Sequence, residues 1–131
     1  TNSGQQHGNS IMNELTGGME ELRAFVAERE WEQFHDPKNL AMAVASEAGE
    51  LLAEYRWLPA GEADGWSRDP ENRARVAQEA ADIAIALLLF CDRLGVDLLE
   101  AIRRKIAINR ANYPVGASKG KAERPRGRHD G

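Results

Sequence analysis

Two acidic pairs set in apolar, helix-like sequence constrain this chain more than any other feature. Glu47-Ala48-Gly49-Glu50 and Glu79-Ala80-Ala81-Asp82 each place two carboxylates three residues apart. On an α-helix such residues share a face. Glu47 falls in line with Leu40, Val44 and Leu51, while Glu79 and Asp82 lie among Val76, Ala80, Ile83, Ala86 and Leu87. A carboxylate in that company costs several kcal/mol unless it is paired or bound to a cation. If the two helices pack with these faces opposed, four acids meet, and something cationic must stand between them.

Arg75, four residues before Glu79, is the one basic residue at i±3 or i±4 to any of the four acids. Salt bridging therefore stays open, but the pattern favours a metal. Oxygen-only ligands suit a hard cation, Mg²⁺ or Mn²⁺ before Ca²⁺, and argue against zinc. A di-iron bundle would need Glu-x-x-His motifs, and neither pair has a histidine at that offset; His35 lies outside both. Mg²⁺ typically completes its shell with substrate phosphates, so the chemistry favoured is hydrolytic phosphoryl or nucleotidyl transfer. Glu54 and Glu71 read as ordinary solvated acids.

The flanking sequence supplies helices for these motifs. A first helix is expected over about Met19 to Phe34. Asp36-Pro37 and Asp69-Pro70 open the second and third helices, with Asp as N-cap and Pro at the first helical position. The second ends near Trp57-Leu58-Pro59, and Pro59 to Arg68, with two glycines, reads as a mobile loop anchored by Trp66. Gly95 stops the third helix, and Asp97 with Glu100 gives a capping box for the fourth, which Tyr113-Pro114 ends. No stretch alternates as a half-buried strand would. The expected fold is all-α, four main helices in a bundle. Its third helix is apolar nearly all round, which calls for a subunit interface and hence a homo-oligomer.

Charge and cysteine usage narrow the class. Apolar residues make up 42% and the net charge is −4, which suits a globular protein and excludes a generic nucleic-acid or membrane binder. The longest apolar run, Ile83 to Cys91, is too short to span a bilayer. The single cysteine, Cys91, sits in that run, reads as core packing, and fits a reducing, cytoplasmic setting. Residues 1–17 are expected to be a disordered leader and residues 116–131 a disordered basic tail, leaving residues 18–115 as the folded domain.

The acidic motifs, separated by 28 residues, together with their flanks resemble the MazG-like all-α NTP pyrophosphatase family. The similarity is to its dCTP pyrophosphatase branch, through Trp31-Glu-Gln-Phe-His35-x-Pro37-Lys-Asn39-Leu, Glu50-Leu51 through Trp57, Gly65-Trp66-Ser67, and Lys105-x-x-x-Asn109-x-x-x-Tyr113-Pro114-Val115. The resemblance implies Mg²⁺-dependent hydrolysis of a nucleoside triphosphate to the monophosphate and pyrophosphate, with Glu47, Glu50, Glu79 and Asp82 holding the metal. It implies dimers or tetramers and a role in clearing surplus or modified nucleotides. Lys105 and Asn109, one turn apart, would contact phosphates, and Tyr113 would bond a phosphate or pack the helix end. Trp31 and Trp57 would stack on the base or cap the core, and His35 and Asn39 would touch base or sugar. Leu22 and Asn112 depart from the branch, which often carries a histidine and a basic residue there; both bear on substrate contacts. The competing expectation is a non-enzymatic helical module whose acidic groove binds a basic partner.

Overall fold

The chain folds into α1 (Ser3–Glu28), a 3₁₀ turn at Trp31–Phe34, α2 (Pro37–Tyr55), a second 3₁₀ turn at Ala60–Glu62, α3 (Ala63–Arg68), α4 (Pro70–Leu94), α5 (Leu98–Asn112) and α6 (Val115–Ser118). This computed structural model describes residues 3–118 and 120, with side-chain surroundings from 17 to 116. The class is all-α, with four long helices and no strand among the described residues.

The capping chemistry works as its residues demand. The Asp36 carboxylate accepts the Asn39 backbone N–H at 2.9 Å, with Pro37 at the start of α2. Asp69 accepts from the backbone N–H groups of Glu71 and Asn72 at 3.1 and 3.3 Å and opens α4 the same way. Asp97 accepts the Glu100 N–H at 3.1 Å at the start of α5. Gly95 takes φ +68°, the left-handed conformation that lets the chain leave α4.

Three expectations need correction. α1 begins at Ser3 rather than near Met19. It also stops at Glu28 rather than Phe34. Its end tightens through Arg29 N–H to Val26 O (3.3 Å) and Glu30 N–H to Ala27 O (3.0 Å), and Glu30 then turns left-handed at φ 54°. Trp31–Phe34 consequently forms a separate 3₁₀ turn. The Pro59–Arg68 loop is ordered as a 3₁₀ turn and α3, since Tyr55 anchors it: its ring meets Trp66 edge-on at 5.2 Å and its hydroxyl shares a 2.7 Å hydrogen bond with Ser67 Oγ. Of the expected disordered tail, residues 119 and 121–131 lie outside the described residues; α6 reaches Ser118.

The chain divides into two compact units, Thr1–Leu94 and Gly95–Gly131. In the first, α2 and α4 pack along their length, and the buried apolar residues are Val26 on α1, Leu40 on α2, and Ala86 and Cys91 on α4. Burial raises the Cys91 thiol above its ordinary value, as expected of a packing residue rather than a reactive one. Arg23 on α1 donates to Asp92 Oδ1 on α4 through Nε (3.0 Å) and Nη2 (2.6 Å). The second unit carries α5 and α6, with Lys105 and Asn109 exposed along α5. No described helix is long and apolar enough to cross a membrane.

Candidate functional site

The packing of α2 on α4 brings Glu47, Glu50 and Glu79 together, with one carboxylate oxygen from each within 4.8 Å of the others. The i, i+3 spacing on α2 aims Glu47 and Glu50 at the same point, and α4 presents Glu79 from across the groove. Glu50 is exposed, while Glu47 and Glu79 are half-buried. Glu79 Oε2 is shielded from solvent and has no hydrogen-bond partner among the described residues. Burial pushes the Glu79 carboxyl above its ordinary value, and the charges of Glu50, Asp82, Glu47 and Glu54 push it further the same way. A carboxylate only accepts hydrogen bonds, so acids this close can be reconciled by protons or by a cation. The donor set, oxygen-only with one orphaned buried oxygen, fits a hard divalent cation.

Asp82 stands one turn beyond Glu79 on α4, exposed and outside the three-acid cluster, although its charge reaches Glu79. The other candidates surround this picture unevenly. Trp31 packs edge-on against Phe25 at 5.7 Å with 43% of its surface exposed, and Trp57 is 83% exposed with the Arg56 guanidinium 5.2 Å from its ring. Asn39 donates its side-chain amide to Phe34 O at 3.2 Å. His35 is half-buried and lines a cavity of about 350 Å³ with Arg23, Glu32, Asp92 and Arg93. Lys105, Asn109 and Tyr113 belong to the second unit, where the Tyr113 backbone N–H donates to Asn109 O at 2.7 Å.

Sequence reasoning missed the pairing of Glu54 with Arg75. Glu54 is no solvated acid: its side chain is 20% exposed and accepts from Arg75 Nε at 3.1 Å. The signal was available, because Glu54 lies one turn after Glu50 and Arg75 one turn before Glu79. Antiparallel packing of the two acidic motifs makes them the next rung.

Comparison with known proteins bears on the same segment. The chain is 43% identical over 98 residues to dCTP pyrophosphatase 1 of Bos taurus, covering 75% of this chain and 58% of that protein. It is 44% identical over 93 residues to dCTP pyrophosphatase 1 of Homo sapiens, covering 70% and 54%. It thus spans a little over half the length of these curated relatives. Among solved structures, a pyrophosphatase from Archaeoglobus fulgidus superposes with a TM-score of 0.71 at 34% identity, over 79% of this chain and 93% of that one. The MazG-like family model matches residues 42–124, a span that contains all four motif acids; on sequence and fold alike, the chain belongs to the MazG-like family.

Proposed function

We propose that this chain is a Mg²⁺-dependent nucleoside triphosphate pyrophosphohydrolase, with Mn²⁺ able to substitute, acting on dCTP or related and base-modified deoxynucleoside triphosphates. The observation that carries the reading is the three-acid cluster, one member of which, Glu79, has a buried Oε2 with no hydrogen-bond partner among the described residues. Glu47, Glu50, Glu79 and Asp82 would hold the ion, which supplies positive charge against the polyphosphate. A carboxylate oxygen left free of the ion would take the proton from the attacking water. Water oxygen bonds to the α-phosphorus, the bond from that phosphorus to the bridging oxygen breaks, and pyrophosphate leaves with the electron pair. The products are the nucleoside monophosphate and pyrophosphate.

The remaining residues would bind rather than react. Lys105 offers a point charge and Asn109 an amide one turn on, both suited to phosphate oxygens. Tyr113 would bond a phosphate or pack the end of α5. Exposed Trp31 and Trp57 offer flat faces for the base. His35 and Asn39 supply polar groups for base or sugar. The cytosine preference is supported by the relatives' names, and a cytoplasmic, nucleotide-clearing role goes with it. A homodimer or homotetramer is the expected assembly.

The deciding experiment offers a panel of deoxynucleoside triphosphates with Mg²⁺ and identifies the products. Monophosphate with pyrophosphate, strongest from dCTP, is expected, and Glu50→Gln and Asp82→Asn should abolish it with helical content intact. Diphosphate with phosphate would mean the wrong bond. No hydrolysis with either Mg²⁺ or Mn²⁺ would leave an acidic groove for a basic partner instead.

A further inference from the structure

The rung of the α2–α4 groove next to the acidic cluster is a charge pair held more tightly than a surface ion pair needs. Moving forward on α2 from Glu50 to Glu54 moves the facing residue back on α4 from Glu79 to Arg75. Arg75 Nε donates to Glu54 at 3.1 Å and Nη2 donates to Asn72 Oδ1 at 3.1 Å. The guanidinium also lies 5.8 Å from the centre of the Trp66 ring. Asn72 in turn donates Nδ2 to Trp66 O at 3.1 Å, and Trp66 is wedged against Tyr55. The planar fork is therefore fixed by a carboxylate, an amide and an aromatic face, which orders it before any ligand arrives. Glu54 stands one helical turn after Glu50 on α2, as Arg75 stands one turn before Glu79 on α4.

We propose that Arg75 is a positioning residue for the cation site: it holds Glu54 beside Glu47, Glu50 and Glu79 while cancelling its charge, and so sets how tightly the cluster binds a divalent ion. This rests on the cluster being a cation site. With Arg75 in place, the cluster's field is that of the motif acids alone. Without it, Glu54 becomes a further unneutralised carboxylate one helical turn from Glu50.

The test is calorimetric titration of Mg²⁺ and Mn²⁺ into the full chain without nucleotide, comparing wild type with Arg75→Gln, Glu54→Gln and the double variant. Circular dichroism checks that each variant is folded. Arg75→Gln should bind about five- to tenfold more tightly, the order expected for one unit charge acting on a divalent ion at about a helical turn in a partly screened groove. Glu54→Gln should bind more weakly by a similar factor, because Arg75 is left uncompensated. The double variant should return to wild-type affinity. Unchanged binding by folded Arg75→Gln, or a double variant that behaves like Arg75→Gln alone, overturns the proposal while leaving the cation site standing. Wild type that binds neither ion removes the cation site itself, and this inference with it.

Discussion

Glu79 concentrates the strain of the site in one side chain. Its buried Oε2 has no hydrogen-bond partner among the described residues and four acids act on it, so the fold holds it above the ordinary 4.5 of a glutamate. A carboxyl raised in the folded state binds a proton that the unfolded chain has already released. Its contribution to stability is full below the ordinary value and is lost as pH rises through the raised one. In chelator, lowering the pH from neutral towards the ordinary carboxylate range should therefore raise Tm, up to the point where other carboxylates titrate. Glu79→Gln should flatten that slope and be the more stable protein at neutral pH, while losing turnover. A wild-type Tm indifferent to pH across this window would contradict the coupling. Adding Mg²⁺ should suppress the slope in wild type, since cation and proton compete for the same oxygens.

At the scale of elements, the helix ends follow local chemistry and two glycines make opposite predictions. Gly49 lies inside α2 between the motif acids, and a Cβ added there meets nothing within 4 Å. Gly49→Ala should stabilise the fold by about 1 kcal/mol through helix propensity alone. Gly95 also has open space, but its φ of +68° is unfavourable for any L side chain. Gly95→Ala should destabilise by about 1 kcal/mol. Chemical denaturation of the two variants checks both, and equal effects would mean that backbone conformation is not what distinguishes them. Glu30 meets the left-handed geometry that Gly95 handles freely, at the turn where α1 was expected to continue. Asp36, Asp69 and Asp97 could be placed from sequence because a cap needs only its next three residues. The stop at Glu28 could not, since no glycine or proline marks it.

For the whole molecule, the sparse core is the informative fact. The buried apolar residues among those described are Val26, Leu40, Ala86 and Cys91, while Met42, Leu52 and Ile85 on α2 and α4 are 60%, 61% and 42% exposed. Apolar surface of this kind on the two helices that carry the site suits burial by a second copy. Sedimentation at micromolar concentration should give a dimer or tetramer, and Leu52→Asp should lower the mass. A wild-type monomer at that concentration would rule out the assembly.

The sequence by itself determined the helical class, the three Asp caps, the stop at Gly95 and the identity of the acids, because each depends on spacing along one segment. Only the tertiary structure decided which acids gather. It brought Glu47, Glu50 and Glu79 within 4.8 Å, left Asp82 exposed at the edge, and gave Arg75 to Glu54 instead of to Glu79 one turn away on its own helix. It likewise turned the expected loop into α3 through Tyr55, Ser67 and Trp66. The physical reason is the same in each case. Periodicity tells which residues share a face of one helix, but the rung at which two helices meet depends on their packing, and that rung chooses the partners of every charge in the groove.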